Sequence, residues 1–120
     1  MAIEAPVSFD NNGPLLGFTH APGNAGIVVK AAGTYLVNFS VSGVEPGQFT
    51  LFVNGAPAGG TTYGSGAATQ QDNGQAIVTL SASDVLTLVN HSSPAAVTLQ
   101  TLAGGTETNV NASIVIEQVG

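Results

Sequence analysis

GTYLVNFSVSGVEPGQFTLFVNG, residues 33–55, is the stretch on which the fold turns. Tyr35, Val37, Phe39 and Val41 alternate with other residues, Gly43-Val44-Glu45-Pro46-Gly47 reverses the chain, and Phe49, Leu51 and Val53 alternate again before Asn54-Gly55. A period of two marks a half-buried strand. The stretch therefore reads as a central hairpin: strand, short loop, strand and an Asn-Gly exit. Leu36 and Phe52 interrupt the pattern by placing large apolar groups on the opposite face.

Outward from this hairpin the same signals recur. No sustained i, i+3, i+4 apolar pattern exists, and Gly or Pro interrupts nearly every window, which argues against helices. Short apolar runs return at intervals of roughly 8 to 12 residues, the spacing of a sandwich or barrel. Strands are expected near 5–9, 15–20, 26–30, 34–42, 48–54, 76–81, 84–90, 96–101 and 110–119. Asn11-Asn12-Gly13-Pro14, Asp72-Asn73-Gly74 and Ser81 to Asp84 read as turns. The Gly/Thr/Ala/Ser/Gln stretch up to Gln71 reads as a surface loop or a weak edge strand. No fixed-period repeat is present, which excludes solenoids and propellers.

Composition narrows the function classes. At 120 residues the chain, 1–120, is expected to be a single domain with its own core. It has no cysteine, so disulfides and Cys-based zinc sites are out. It carries seven acids against one cation, Lys30, for a net charge of −6. Such a surface cannot neutralise several phosphates, which argues against nucleic-acid binding, and binding to an anionic membrane surface is disfavoured for the same reason. A trypsin-like protease would find one cleavage position. No apolar run is long enough for a membrane-spanning helix, and MAIEAPVSFD lacks the basic region and apolar core of a signal peptide.

One parity of the strands supplies a core: Tyr35, Val37, Phe39, Val41, Phe49, Leu51, Val53, Val78, Leu80, Leu86, Leu88, Leu99, Val110, Ile114 and Ile116. The other parity is apolar in places as well, at Leu36, Phe52, Ile77, Val85, Val89 and Val115. A two-layer sandwich should turn a polar face to water, and a register slip cannot make both parities apolar. A ring of identical subunits would cover the excess, with Leu36, Phe52 and Val115 as candidate interface residues.

Gly33–Val41 (GTYLVNFSV), Phe49–Pro57 (FTLFVNGAP), Val78–Leu88 (VTLSASDVLTL) and Asn111–Val119 (NASIVIEQV) together resemble the C-terminal globular domain of bacterial collagen-like spore-surface glycoproteins, the filament proteins of the exosporium. The likeness runs from about Val7 onward. It implies an all-β jelly-roll sandwich similar to those of C1q and tumour necrosis factor, assembled as a homotrimer. The implied role is structural and non-enzymatic: a head domain that nucleates and aligns a collagen-like stalk and presents the outer spore surface. No Gly-X-Y tract lies in this sequence, so the likeness covers the head alone. The final strand, Ile114-Val115-Ile116-Glu117, lacks the aromatic residues of animal C1q-like domains, so receptor contacts of those proteins do not transfer. The alternative is a trimeric binding module of the same fold, a lectin or host-protein adhesin, with Tyr63 as its exposed aromatic.

Chemical sites are sparse, and no cofactor is implied. His20 and His91 are the only histidines; each reads as a surface-turn residue, and a metal would need one His per subunit meeting on a three-fold axis. His91, Ser92, Ser93 and Asp84 contain the ingredients of a serine triad without a nucleophile elbow. Gly64 to Thr69 half-matches a dinucleotide fingerprint but has no helix after it. Asp72, Asn73 and Glu107 could approach calcium without an EF-hand pattern. Asn38, Asn90 and Asn111 begin N-glycosylation triplets, and Thr61-Thr62 could carry O-linked sugars. No pair of acids has glycosidase spacing.

Overall fold

Tyr35, Val37, Phe39 and Val41 point to one side of a ten-residue strand, and all four are buried. The computed structural model describes residues 2–13, 15, 17–66, 71–91, 93, 96–100, 106 and 110–120. Its elements are β1 (Phe18–Thr19), β2 (Ile27–Val29), β3 (Gly33–Ser42), β4 (Gly47–Val53), β5 (Ala56–Pro57), β6 (Tyr63–Ser65), β7 (Gln71–Leu80), β8 (Val85–Asn90) and β9 (Ala112–Gln118).

They form two sheets. One has the order β1-β2-β8-β4-β5, with β6 also on β4; the other is β7-β3-β9. Every pairing is antiparallel. This is an all-β two-sheet sandwich, consistent with a jelly roll. Among the described residues there is no helix.

The expected central hairpin does not form. β3 pairs with β7 and β9, whereas β4 pairs with β8, β5 and β6. The chain leaves one sheet at Gly43 and enters the other at Gly47. Both strands still bury their odd-numbered residues, because those residues face each other across the core, not side by side in one sheet. The corner is plugged by buried Val97: a Cβ on Gly43 would lie 2.6 Å from Val97 Cγ1, and one on Gly47 would lie 2.7 Å from Cγ2. Val44 N–H donates to the Thr98 carbonyl at 2.9 Å, and Glu45 Oε1 accepts from Thr98 N–H at 2.5 Å.

Three further expectations change. Asp72-Asn73-Gly74 is not a turn; β7 runs straight through it, with Gly74 opposite Phe39. The glycine serves there as space, since a Cβ would lie 2.3 Å from Phe39 Cζ and 2.4 Å from Tyr63 Cδ1. Residues 5–9 and 96–100 run beside the sheets without becoming strands, joined by the isolated bridges Pro6↔Val89 and Gly43↔Leu99. They nevertheless contribute Val7, Phe9 and Val97 to the core, with Ile27, Val29 and Val89 also buried. Val110 is exposed, not core. The Asn54-Gly55 exit is a two-residue hairpin turn with positive φ at both positions, 52° and 81°.

Placing a methyl at Gly74 forces the Phe39 and Tyr63 rings apart. Gly74→Ala is therefore expected to lower unfolding stability by about 1–3 kcal/mol, the usual cost of overpacking, read as a fall in the urea midpoint. An unchanged midpoint would mean that the rings relax freely.

Candidate functional site

Hydroxyl and amide side chains occupy most of the polar positions inside this sandwich, with His20 and Asp72 as the titratable exceptions. Thr61 is buried, accepts from Leu51 N–H at 3.2 Å and donates to the Ala58 carbonyl at 2.7 Å. Asn90 is buried, donates to the Ala2 carbonyl at 3.1 Å and accepts from the Ser93 hydroxyl. Ser93 also accepts from Gln48 N–H at 2.9 Å. Ser93 is thus committed to structure, and Asp84 lies at the other end of β8, bonded to Ser81 N–H and the Asn54 amide. Those hydrogen bonds, from Ser81 first and Asn54 second, lower the Asp84 carboxyl below its usual range. Ser92 lies outside the described residues. The triad ingredients are not brought together.

The other sequence candidates separate as well. His20 is buried rather than on a surface turn, and His91 Nδ1 pairs with Glu4 Oε1 at 2.6 Å. Among the described residues no three His, Asp, Glu or Cys side chains cluster as metal ligands. Successive residues of a strand point to opposite faces, so Asp72 turns inward and Asn73 outward, and the pair cannot converge on calcium; Glu107 lies outside the described residues. Asn90 is too buried to carry a glycan, Thr61 is buried, and Asn38 is exposed mid-strand. Residues 67–69 of the dinucleotide half-match are outside the described set.

What remains is a surface. The outward face of β7-β3-β9 carries Ile77, 69% exposed, directly opposite half-buried Leu36, and Val115, 62% exposed, opposite Asn38. Val119 is exposed where β9 ends, its N–H donating to the Thr34 carbonyl at 2.8 Å. Of the six exposed large hydrophobics among the described residues, three are thus on this one face. Val115 also borders a shallow depression of about 440 Å³, lined by the amides and hydroxyls of Asn38, Ser40, Asn73, Gln75 and Ser113. Tyr63 at its rim is not free: its ring packs on Phe39 at 5.8 Å, and its hydroxyl donates to the Gln75 carbonyl at 2.9 Å.

Of the three interface candidates, Leu36 and Val115 share this face. Phe52 does not. It lies on β4 in the opposite sheet, half-buried, with its ring edge-on to His91 at 5.1 Å. Val89, on the same outer side of that sheet, is already covered, with Pro6 bridged to it from the N-terminal segment.

Comparison with known proteins agrees with this architecture. The family model for the BclA C-terminal domain matches residues 1–120. The chain belongs to the BclA C-terminal domain family. Membership makes it the C-terminal domain type of a bacterial collagen-like exosporium glycoprotein, a non-catalytic structural domain of the spore surface. A search of curated proteins found no match.

One titratable group within this BclA-type fold is out of balance. Asp72 points inward opposite Val41, is 5% exposed, and its Oδ1 has no hydrogen-bond partner. Burial pushes its carboxyl up to about 6. An acid raised in the folded state stabilises below its unfolded value of 3.8 and loses that contribution as pH climbs through the folded value. Asp72→Asn is therefore expected to be more stable than the parent at neutral pH, by about 1–3 kcal/mol. The advantage should shrink as pH falls from about 6 to about 4. Urea midpoints of both proteins across that range check the difference; parallel curves would show that Asp72 is not desolvated.

Proposed function

We propose that the domain acts by association: it forms a homotrimer that serves as the head of an exosporium filament and aligns a collagen-like stalk. The observation that carries this reading is the outward face of β7-β3-β9, where Ile77, Leu36 and Val115 form an apolar patch. Ordinary strands in a one-sided sheet turn polar residues outward. A closed three-fold ring needs two unlike patches on each subunit, because its contacts are head-to-tail. Leu36, Ile77 and Val115 supply one patch, and the Phe52 surface on the other sheet is the candidate for the second. The charge scarcity supports the reading, since a subunit with one cation and seven acids brings few charges to be desolvated in a contact.

A second reading places a neutral, hydroxyl-rich ligand on the same face. The depression lined by Asn38, Ser40, Asn73, Gln75 and Ser113 offers amide and hydroxyl partners and no charge, which suits a glycan. Host-surface glycans or proteins are its proposed partners. The two readings compete for one surface and differ in what occupies it.

Sedimentation equilibrium at micromolar concentration should give three times the chain mass. Val115→Asp, which puts a charge into the apolar patch without touching the core, should weaken assembly at least about tenfold, or about 1.4 kcal/mol. Its circular dichroism should stay unchanged. A wild-type monomer that binds neutral glycans, and loses them in Gln75→Ala, would replace the first reading with the second.

A further inference from the structure

Alternate residues of a strand in an antiparallel sheet aim their backbone groups at opposite neighbours. On β9 this pattern is set at both ends. Ser42 N–H donates to the Asn111 carbonyl at 2.7 Å, and Val119 N–H donates to the Thr34 carbonyl at 2.8 Å. The odd-numbered residues of β9 therefore bond to β3, while Ala112, Ile114, Ile116 and Gln118 turn their N–H and C=O groups away from it. β9 is the last strand of its sheet, so among the described residues no strand meets those groups. Burial agrees. Ala112, Ile114 and Ile116 point inward yet are only half-buried, whereas the inward residues of β3 beside them are buried.

The other edges are blunted in the ways natural sheets use. β1 and β5 have two residues each and β6 has three. On the free edge of β7 the Gln75 carbonyl already accepts from the Tyr63 hydroxyl at 2.9 Å. β9 has seven residues and no Pro, Gly or Lys. An edge of that length left open is a template for a further strand.

We propose that β9 docks against β9 of a second copy, antiparallel about a two-fold axis at Val115, so that two β7-β3-β9 sheets become one. Register names this occupant. With Val115 opposite the partner's Val115, Ile114 meets the partner's Ile116 and Ala112 meets the partner's Gln118. Every outward N–H and C=O of the strand then finds a partner. Centring the pair on Ile114 would leave Gln118 unmatched, and centring it on Ile116 would leave Ala112 unmatched. Charge selects the same register: Glu117, the one charged residue of β9, falls opposite the partner's Ser113 and away from its own equivalent. Val115, 62% exposed, is covered by the partner's Val115 on the outer face, and the half-buried isoleucines meet on the inner one. Such a pair is self-complementary and closed.

The contact goes beyond the three-fold ring. It joins backbones at an edge, takes no part of Leu36, Ile77 or Phe52, and links heads of different assemblies. One strand against its copy is a small contact beside the roughly 1,200–2,000 Å² of a stable interface. It therefore holds weakly between free chains and takes effect where heads are already crowded.

Cross-linking reads a weak contact and its register together. The chain has no cysteine, and positions 113 and 117 of one strand are too far apart to bridge, at about 3.3 Å per residue. Across the proposed axis they form a non-hydrogen-bonded pair with Cα atoms about 4.5 Å apart, inside the disulfide range. Ser113→Cys/Glu117→Cys should therefore give, on mild oxidation, a covalent dimer bridged from 113 of each chain to 117 of the other. Either single variant should give at least about tenfold less, because like positions are held apart. Adding Gln118→Pro removes an outward N–H without touching the β3 ladder and should cut the dimer yield about tenfold, with circular dichroism unchanged. A double variant that cross-links no better than the singles overturns the pairing. So do bridges between like positions, covalent trimers, or a yield indifferent to Gln118→Pro.

Discussion

The constraint on which this fold depends is the apposition of two sets of odd-numbered side chains across the sandwich: Tyr35, Val37, Phe39 and Val41 from β3, and Phe49 and Leu51 from β4. Each fully buried large side chain contributes about 1.5–3 kcal/mol, and neither sheet could bury its row alone. The chain can supply both rows from one continuous stretch only if it changes sheets between them. Gly43 and Gly47 make that possible by admitting Val97 where any Cβ would collide with it. Gly74 solves the same problem on the far side of β3, giving its Cβ space to Phe39 and Tyr63. Large residues fill the middle, and missing side chains fit the rim around them.

The polar economy follows from the same arrangement. With eight formally charged Lys, Arg, Asp and Glu residues in 120, the chain fastens its turns and segments largely through neutral amide and hydroxyl side chains. Asn54 shows how. Its Nδ2 donates to Asp84 and its Oδ1 accepts from Val85 N–H, both at 2.9 Å, so one side chain fastens the β4–β5 turn to the β7–β8 turn. Asn90 and Ser93 do the same for the N-terminal segment. Those bonds that join two neutral groups are insensitive to salt, unlike exposed ion pairs. That suits a spore-surface domain in changing media.

Much of this was legible in the sequence, and the failures have a common cause. Period-two alternation gave β3, β4, β8 and β9 within a few residues, and Asn54-Gly55 gave its turn, because both signals are local. The two sheets were not legible. Alternation reports which side chains share a face of one strand, and it is silent on whether two successive strands pair side by side or face each other across a core. The same blindness hid Val7, Phe9 and Val97, which are buried from segments with no ladder of their own. Asp72-Asn73-Gly74 misled because turn chemistry and a glycine needed for ring packing look identical in one dimension. As for the candidate site, Leu36, Ile77 and Val115 were visible as apolar residues of the wrong parity, but only register puts them on one face and Phe52 on another.

That division bears on what kind of assembly the surface can support. A two-fold pair would bury one patch against its own copy and leave Phe52 and His91, on the opposite sheet, outside the contact. A ring uses both sides of each subunit, so apolar groups on two separate faces are what it requires. A free lectin gains nothing from Ile77 and Leu36, since its affinity would come from the amide-lined depression, to which Val115 alone of the apolar patch belongs. The argument for association therefore starts from the β7-β3-β9 face, and a second, unlike surface at Phe52 on the same charge-poor sandwich is what favours a ring over a two-fold pair.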